Sequence, residues 1–403
     1  MATQEQQIKA IEAEHLLQVY RRIPIVFARG EGSYLFDTDD RPYLDFVSGL
    51  GVASLGHANP DLAEAVADQA RTLVHTSNLY FHPLQGQVGR RLAMLSGLAR
   101  AFFCNSGTEA VEGCLKFARR YWHTRGEPRA RFVALERSFH GRTLGSLSTT
   151  WEPGYRAPFE PLLDVTFVSP TDPAALATAC GPDVAAIIVE PIQGEGGVWP
   201  LTPAFTDALT EACRTSGALL IADEIQCGLG RTGAPFHSAT LGLQPDLMSL
   251  GKALGAGVPI GAILLSERVA DAISPGDHGT TYGGNLLSCR AALVFLEAME
   301  HGGFERVRQA GVTLGGALDA LAQRYPVITD IRGAGLMRGL EMPADTAAQV
   351  VEGALARGLL VNRTAGRVVR MLPPLTVSDT EIDKAVGILA EVLDTLQSGE
   401  RDV

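Results

Sequence analysis

From about residue 100 the sequence alternates short apolar runs with amphipathic stretches. The runs occupy 101–103, 132–135, 184–189, 219–222 and 260–265, and stretches such as 205–214 separate them. A strand with one wet face alternates apolar and polar residues, whereas a strand apolar on both faces must be covered on both. Helices between such strands supply that cover. The pattern predicts an α/β fold whose central sheet is mostly parallel, with helices on each side.

The flanks read differently. The segment before Pro24 has Ile8, Ile11, Leu16 and Leu17 near helical spacing, which predicts a helix. Gly30 and Gly32 open alternating strands. Ser33-Tyr34-Leu35-Phe36 runs into an Asp37-Thr38-Asp39-Asp40 turn, and Tyr43-Leu44-Asp45-Phe46 returns, which is a hairpin pattern. Asn59-Pro60-Asp61 starts a helix with Leu62, Val66, Ala70 and Leu73 on one face. After Asn285 comes a long helical stretch, then a smaller α+β section with strands at 327–328, 339–341, 359–361 and 368–372. The expected division is an N-terminal segment, 1–57, packing with the small domain; a large domain, 58–290; and a C-terminal small domain, 291–403.

Composition narrows the function. The 403 residues are 46% hydrophobic and 20% charged, which suits a folded chain with a sizeable core. A net charge of -11 argues against nucleic-acid and anionic-membrane partners. No apolar run approaches the roughly 18–20 residues of a bilayer-spanning helix. The first fifteen residues carry Glu5, Glu12 and Glu14 without an apolar block, which is unlike a secretory signal. Six cysteines lie scattered without CxxC spacing or a histidine cluster, so the expectation is no metal site and reduced thiols in the cytoplasm.

Four segments carry chemistry-bearing side chains. Asn105-Ser106-Gly107-Thr108-Glu109 precedes a helical stretch with Val111, Leu115 and Ala118 on one side. A helix start offers free N–H groups and a positive dipole end, which suits a phosphate. Ser106 and Glu109 equally fit a Ser-x-x-Glu capping box, which needs no ligand. Asp223 ends the run 219–222, where ligands of open α/β sheets bind. A carboxylate there either keeps a ring nitrogen protonated or caps the next turn. Lys252 lies in Leu250-Gly251-Lys252-Ala253-Leu254-Gly255. It is either a partly desolvated nucleophile for carbonyls or a surface lysine. Phe139-His140-Gly141-Arg142 joins an aromatic plane to a guanidinium that suits a carboxylate. His140 is read as structural, since Lys252 already supplies a base.

In this order the segments resemble the class III aminotransferases of the aspartate-aminotransferase fold, which use pyridoxal phosphate (fold type I). The likeness runs from Arg29-Gly30-Glu31-Gly32 to Arg370-Met371-Leu372-Pro373-Pro374-Leu375. Between them lie Gly56-His57-Ala58-Asn59-Pro60, Glu190-Pro191-Ile192-Gln193-Gly194-Glu195-Gly196-Gly197, Asp223-Glu224-Ile225-Gln226, Gly230-Arg231-Thr232-Gly233 and Thr280-Thr281-Tyr282-Gly283-Gly284-Asn285. The resemblance implies that Lys252 tethers the cofactor, Asp223 pairs with the pyridine nitrogen and Gln226 approaches the ring hydroxyl. It implies that Ser106, Gly107 and Thr108 hold the phosphate and that Phe139 stacks on the ring. It further implies Arg142 on the substrate carboxylate, and Arg370 in carboxylate recognition with Glu195 as its alternative partner. Thr281 would reach the phosphate in the other subunit of a homodimer, Thr280 would line that subunit's pocket, and Tyr20, beside Val19, would approach the substrate. Leu286 stands where the family usually has proline.

The activity implied is transfer of the terminal amine of N2-acetyl-L-ornithine to 2-oxoglutarate. Acetyl-lysine or carrier-bound lysine, succinylornithine, ornithine and 4-aminobutyrate are alternative donors, and Ser148-Thr149-Thr150-Trp151-Glu152-Pro153 looks like lysine-pathway relatives. An aminomutase of the same fold would need no added 2-oxoglutarate.

Overall fold

The chain enters through a helix, Gln4–His15, in a computed structural model that describes residues 2–399. Met1 and residues 400–403 of the expected domain bounds lie outside the described residues. A capping box between Thr3 and Gln6 starts this helix, and it buries no residue. It stops at His15, well short of Pro24. The Gln18 side chain donates to the carbonyls of Glu12 and Leu16 at 2.8 and 2.7 Å, satisfying helix-end acceptors that a further turn would have used.

Three short strands follow: β1 (Phe27–Glu31), β2 (Tyr34–Asp37) and β3 (Pro42–Asp45), each antiparallel to the next. The helix Pro60–Thr72 begins at Asn59, whose side chain accepts from the Leu62 amide, with proline in the first turn. Leu62 packs on the core, but Ala70 and Leu73, expected on the same inward face, are exposed.

The apolar runs become β4 (Arg100–Cys104), β5 (Arg131–Leu135), β6 (Val165–Val168), β7 (Val184–Val189), β10 (Leu219–Asp223), β11 (Leu247–Leu250) and β12 (Gly261–Leu265). A small ribbon of β8 (Ile192–Gln193) and β9 (Trp199–Pro200) interrupts the series. The seven form one sheet in the order β4-β12-β11-β10-β7-β5-β6, and only β12 runs against the direction of the other six. Every residue of β7 and β10 is buried. Their side chains alternate between two cores. Ala186, Ile188, Leu219 and Ile221 pack with Val111, Leu115 and Ala118 of the helix Gly107–Thr124. Ile187, Val189 and Leu220 pack with Phe205 and Leu209 of the helix Pro203–Ser216. Truncating one such residue, Ile188→Ala, costs about 2–5 kcal/mol.

The helices Leu286–Ala298 and Phe304–Arg324 lead to a second antiparallel sheet. It orders β13 (Asp330–Ala334), β14 (Met337–Glu341), β17 (Val368–Met371) and β16 (Asn362–Thr364). Leu286 is the first residue of its helix and is buried; Asn285 supplies the cap by accepting from the Ser288 amide, so the start holds without proline. Val327 and Ile328, expected in a strand, lie in the turn before β13. Their apolar character serves the core, which Ile328 enters from that turn. A two-residue strand, β15 (Leu359–Leu360), pairs in parallel with β3 and completes the N-terminal sheet. Among the described residues no helix is long and apolar enough to cross a membrane.

Candidate active site

The C-terminal ends of β4, β5, β7, β10 and β11 point the same way and open on one cleft of about 270 Å3. The loop after β4 contributes Gly107 and Thr108; the loop after β5 contributes Phe139, His140, Gly141 and Arg142. Glu190 and Glu195 come after β7, Asp223, Ile225 and Gln226 from the end of β10, and Lys252 after β11. Residues separated by up to 145 positions therefore share one wall because the strands are parallel and the loops all exit on one edge.

Asp223 is buried and its carboxylate is fixed on three sides. Oδ2 lies 2.6 Å from His140 Nδ1, while Oδ1 accepts from Ser249 Oγ at 3.0 Å and from the Ile225 amide at 3.2 Å. The bond to the Ile225 amide is a turn cap, one of the two sequence readings of Asp223. His140 is buried as well, and its Nε2 has no partner. His140, read from the sequence as structural, is one of the groups that orient Asp223. Glu190 was missed, although an acid closing the apolar run 184–189 is the same signal that marked Asp223. Its carboxylate accepts from the amides of Phe139 and Gly194 at 2.9 and 3.1 Å. Burial, reinforced by the Asp223 charge, pushes its carboxyl pKa up to about 7.

Lys252 forms no hydrogen bond or ion pair among the described residues. Its φ of +40° is left-handed, a conformation that costs a side-chain-bearing residue about 1–2 kcal/mol. Burial holds its ammonium below the ordinary lysine range, and Arg370 adds to that; Glu195, Asp223 and Glu190 oppose it. Gly251 allows the turn, since a Cβ there would sit 3.2 Å from the Gly107 Cα.

The loop before Gly107 realises the cap. Ser106 Oγ accepts from the Glu109 amide and donates to Glu109 Oε2 at 3.1 Å, while that oxygen also accepts from the Asn105 amide at 2.7 Å. Ser106 does not line the cleft. The Thr108 hydroxyl is engaged with Ser146 Oγ at 2.6 Å and Thr143 Oγ1 at 3.0 Å. The backbone N–H groups of Gly107 and Thr108 have no acceptor among the described residues, and they begin an 18-residue helix. A Cβ on Gly107 would lie 2.8 Å from Ile225 Cδ1, so glycine is what lets the helix start meet the Ile225 side chain.

Arg370 lies behind this wall, fully buried on β17. Nη1 pairs with Glu195 Oε1 at 2.6 Å and donates to Gln226 Oε1 at 3.0 Å; Nε donates to Asn362 Oδ1 at 3.2 Å. Nη2 is buried without a partner. Gln226 also donates to Glu195 at 3.4 Å, so its amide serves this cluster. Arg142 has no acidic partner among the described residues, and its guanidinium carbon lies 5.7 Å from the Phe139 ring centre. Thr280, Thr281 and Tyr20 are not brought into this cleft. Thr280 Oγ1 accepts from Asn105 Nδ2 at 3.4 Å, Thr281 is exposed, and Tyr20 is 73% exposed.

The cleft fits pyridoxal phosphate on its own chemistry. Two unpaired amides at a helix start suit the phosphate. A carboxylate fixed at a strand end suits the ring nitrogen, and an unpaired amine of lowered proton affinity suits the aldehyde.

Comparisons with known proteins agree with this geometry. The profile of the family described as aminotransferase class-III matches residues 17–393. The acetylornithine aminotransferase of Methanocaldococcus jannaschii is 42% identical over 390 residues, spanning 96% of this chain and 98% of its own. The crystal structure of acetylornithine aminotransferase from Elizabethkingia anophelis matches with a TM-score of 0.87 at 31% identity, covering 97% of this chain and 99% of that one. A structure of ornithine aminotransferase from Toxoplasma gondii, with partial occupancy of PLP at its active site, matches with a TM-score of 0.92 at 32% identity, covering 98% and 95%.

Proposed function

The chain belongs to the class III aminotransferases, and on that footing we propose that it moves the terminal amino group of N2-acetyl-L-ornithine to 2-oxoglutarate, with pyridoxal phosphate as cofactor. The products are N-acetyl-L-glutamate 5-semialdehyde and L-glutamate, a step of arginine biosynthesis. One observation carries the choice of donor. Glu195 neutralises Arg370 behind the wall, and Arg142, the guanidinium that lines the cleft, has no acidic partner among the described residues. That charge pattern suits a donor with one carboxylate and a neutral acetamide.

Bound pyridoxal phosphate supplies a ring that accepts electrons from the carbon losing its proton. The chain's residues do the rest. The amides of Gly107 and Thr108 hold the phosphate, with Ser106 keeping their loop in shape. Asp223, immobilised by His140 and Ser249, would pair with the ring nitrogen and keep it protonated. Phe139 would be the apolar wall of the ring site, and Gln226, which lines the cleft, would approach the ring hydroxyl with the amide proton that its bonds to Arg370 and Glu195 leave free. Lys252 Nζ would tether the cofactor and, once freed by the donor's amine, would carry the proton from the donor's terminal carbon to the cofactor's aldehyde-derived carbon as base and then acid. Arg142 binds the donor's carboxylate. When 2-oxoglutarate enters, Glu195 leaves Arg370, and both Nη1 and the unpartnered Nη2 meet the second carboxylate.

The reading extends to a homodimer in the cytoplasm. Leu79, Tyr80, Phe81 and Tyr282 are exposed at 85, 70, 105 and 62%, an apolar surface suited to a second copy. Thr280 and Thr281, which lie away from their own cleft, would then serve the neighbouring one. All six cysteines are free, which suits a reducing compartment.

The test is a panel of acetylornithine, ornithine, acetyl-lysine and 4-aminobutyrate with 2-oxoglutarate. The highest kcat/KM is expected for acetylornithine. A preference for acetyl-lysine would move the enzyme to the lysine branch, and conversion of donor without 2-oxoglutarate would make it an aminomutase.

A further inference from the structure

Arg142 is a long side chain on a loop with no ion pair among the described residues to hold it. Left to itself it would sample many rotamers, and ordering it on a ligand would weaken binding. What restrains it is a ring. Its guanidinium carbon lies 3.3 Å from the centre of the Tyr155 ring, much closer than the 5.7 Å to Phe139. Tyr155 sits on a four-residue helix, Pro153–Arg156. Pro153 opens that helix, and Glu152 caps it by accepting from the Gly154 amide at 3.2 Å. Both ends are pinned to Phe167 of β6. Trp151 meets its ring edge-on at 5.2 Å, and the Arg156 guanidinium lies over it at 4.6 Å. The short helix that carries Tyr155 is therefore held to the central sheet at both flanks, while Tyr155 itself is 40% exposed and its hydroxyl makes no hydrogen bond among the described residues.

We propose that Tyr155 is a positioning residue for substrate recognition: its ring face, stacked on Arg142, holds the guanidinium where a substrate carboxylate meets it. The proposal rests on the reading of Arg142 as the carboxylate anchor. It assigns a role to the segment 151–156, which the transamination chemistry leaves unused. The ring face carries the effect, because cation–π attraction needs the aromatic quadrupole and leaves the N–H edges of the guanidinium free for bidentate bonds.

The experiment compares Tyr155→Ala, Tyr155→Phe, Arg142→Ala and the Tyr155→Ala/Arg142→Ala double variant as holoenzymes. Calorimetry gives Kd for glutarate, a dicarboxylate that cannot react, and steady-state kinetics give KM and kcat for acetylornithine. For Tyr155→Ala, Kd and KM should rise about fivefold, the scale of a partly exposed cation–π pair, while kcat stays within about twofold. Tyr155→Phe should restore both values. In the Arg142→Ala background, losing Tyr155 should add nothing. Tyr155→Leu, which keeps apolar bulk without a quadrupole, should behave as Tyr155→Ala does and replaces it if that variant fails to fold. An unchanged Kd in both, a loss in Tyr155→Phe as large as in Tyr155→Ala, or an additional loss in the double variant overturns the stack. If Arg142→Ala also binds glutarate normally, the carboxylate anchor falls and the stack with it. If only Arg142→Ala weakens binding, the anchor stands and the stack alone fails.

Discussion

Glu195→Gln tests the proposed switch of Arg370 between Glu195 and a substrate carboxylate. Arg370 Nη1 lies 2.6 Å from Glu195 Oε1, and the arginine side chain is wholly out of solvent. A dicarboxylate that reaches Arg370 must first break this pair. A charge-assisted hydrogen bond contributes about 1.5–3 kcal/mol net. Glu195 keeps 37% of its side chain in solvent, which screens the interaction and places this pair at the low end. Burial alone would raise the Glu195 carboxyl, yet Arg370 outweighs it and holds the group below its ordinary pKa, so the pair is ionised at neutral pH. Glutamine keeps an amide oxygen for Arg370 but removes the competing charge. At about 1.4 kcal/mol per decade, KM for 2-oxoglutarate should fall roughly tenfold, and glutamate should improve as a donor by a similar factor. The assay varies 2-oxoglutarate at saturating acetylornithine, with Arg370→Ala as control. If Arg370→Ala raises this KM while Glu195→Gln leaves it unchanged, Glu195 does not gate Arg370. The variant should also be less stable to denaturant by about 1–3 kcal/mol, because a buried guanidinium loses its counter-charge.

Lys252→Ala should abolish glutamate formation from acetylornithine and 2-oxoglutarate; wild-type turnover would remove Lys252 from its role. Arg142→Ala should lower kcat/KM for acetylornithine by about 1.5–3 kcal/mol, the value of a charge-assisted pair, and an unchanged kcat/KM would count against the anchor. Glu190 predicts a pH dependence of stability. Burial raises its folded-state pKa from 4.5 to about 7, so between those values the native chain holds a proton that the unfolded chain has released. Stability should therefore fall as pH rises through that window and level off above it. Glu190→Gln should erase the slope, a difference of up to about 3 kcal/mol between pH 5 and 8, read as denaturant midpoints. Parallel midpoint curves for the two proteins would refute it. Phe81→Asp should give monomers in sedimentation with little activity; a fully active dimer would place the interface elsewhere.

The central sheet was legible in the sequence because burial on both faces writes itself into every residue of a strand. The runs at 184–189 and 219–222 became β7 and β10 at nearly those bounds. The ends of the chain were less legible. The N-terminal helix has no core to pattern it, and its stop depends on a side chain, Gln18, that folds back on two carbonyls. Val327 and Ile328 are apolar without being a strand, since a turn can also feed a core.

Local order along the chain singled out Lys252, Asp223 and Arg142, which the fold brings to one cleft, because each sits beside glycines or at the close of an apolar run. It did not reveal what touches them. The bond from His140 to Asp223 spans 83 positions, and the pair between Arg370 and Glu195 spans 175. Sequence periodicity reports burial and local shape, which depend on near neighbours. Partners across such distances are set by strand order and by where each loop leaves the sheet, and only the folded chain fixes those.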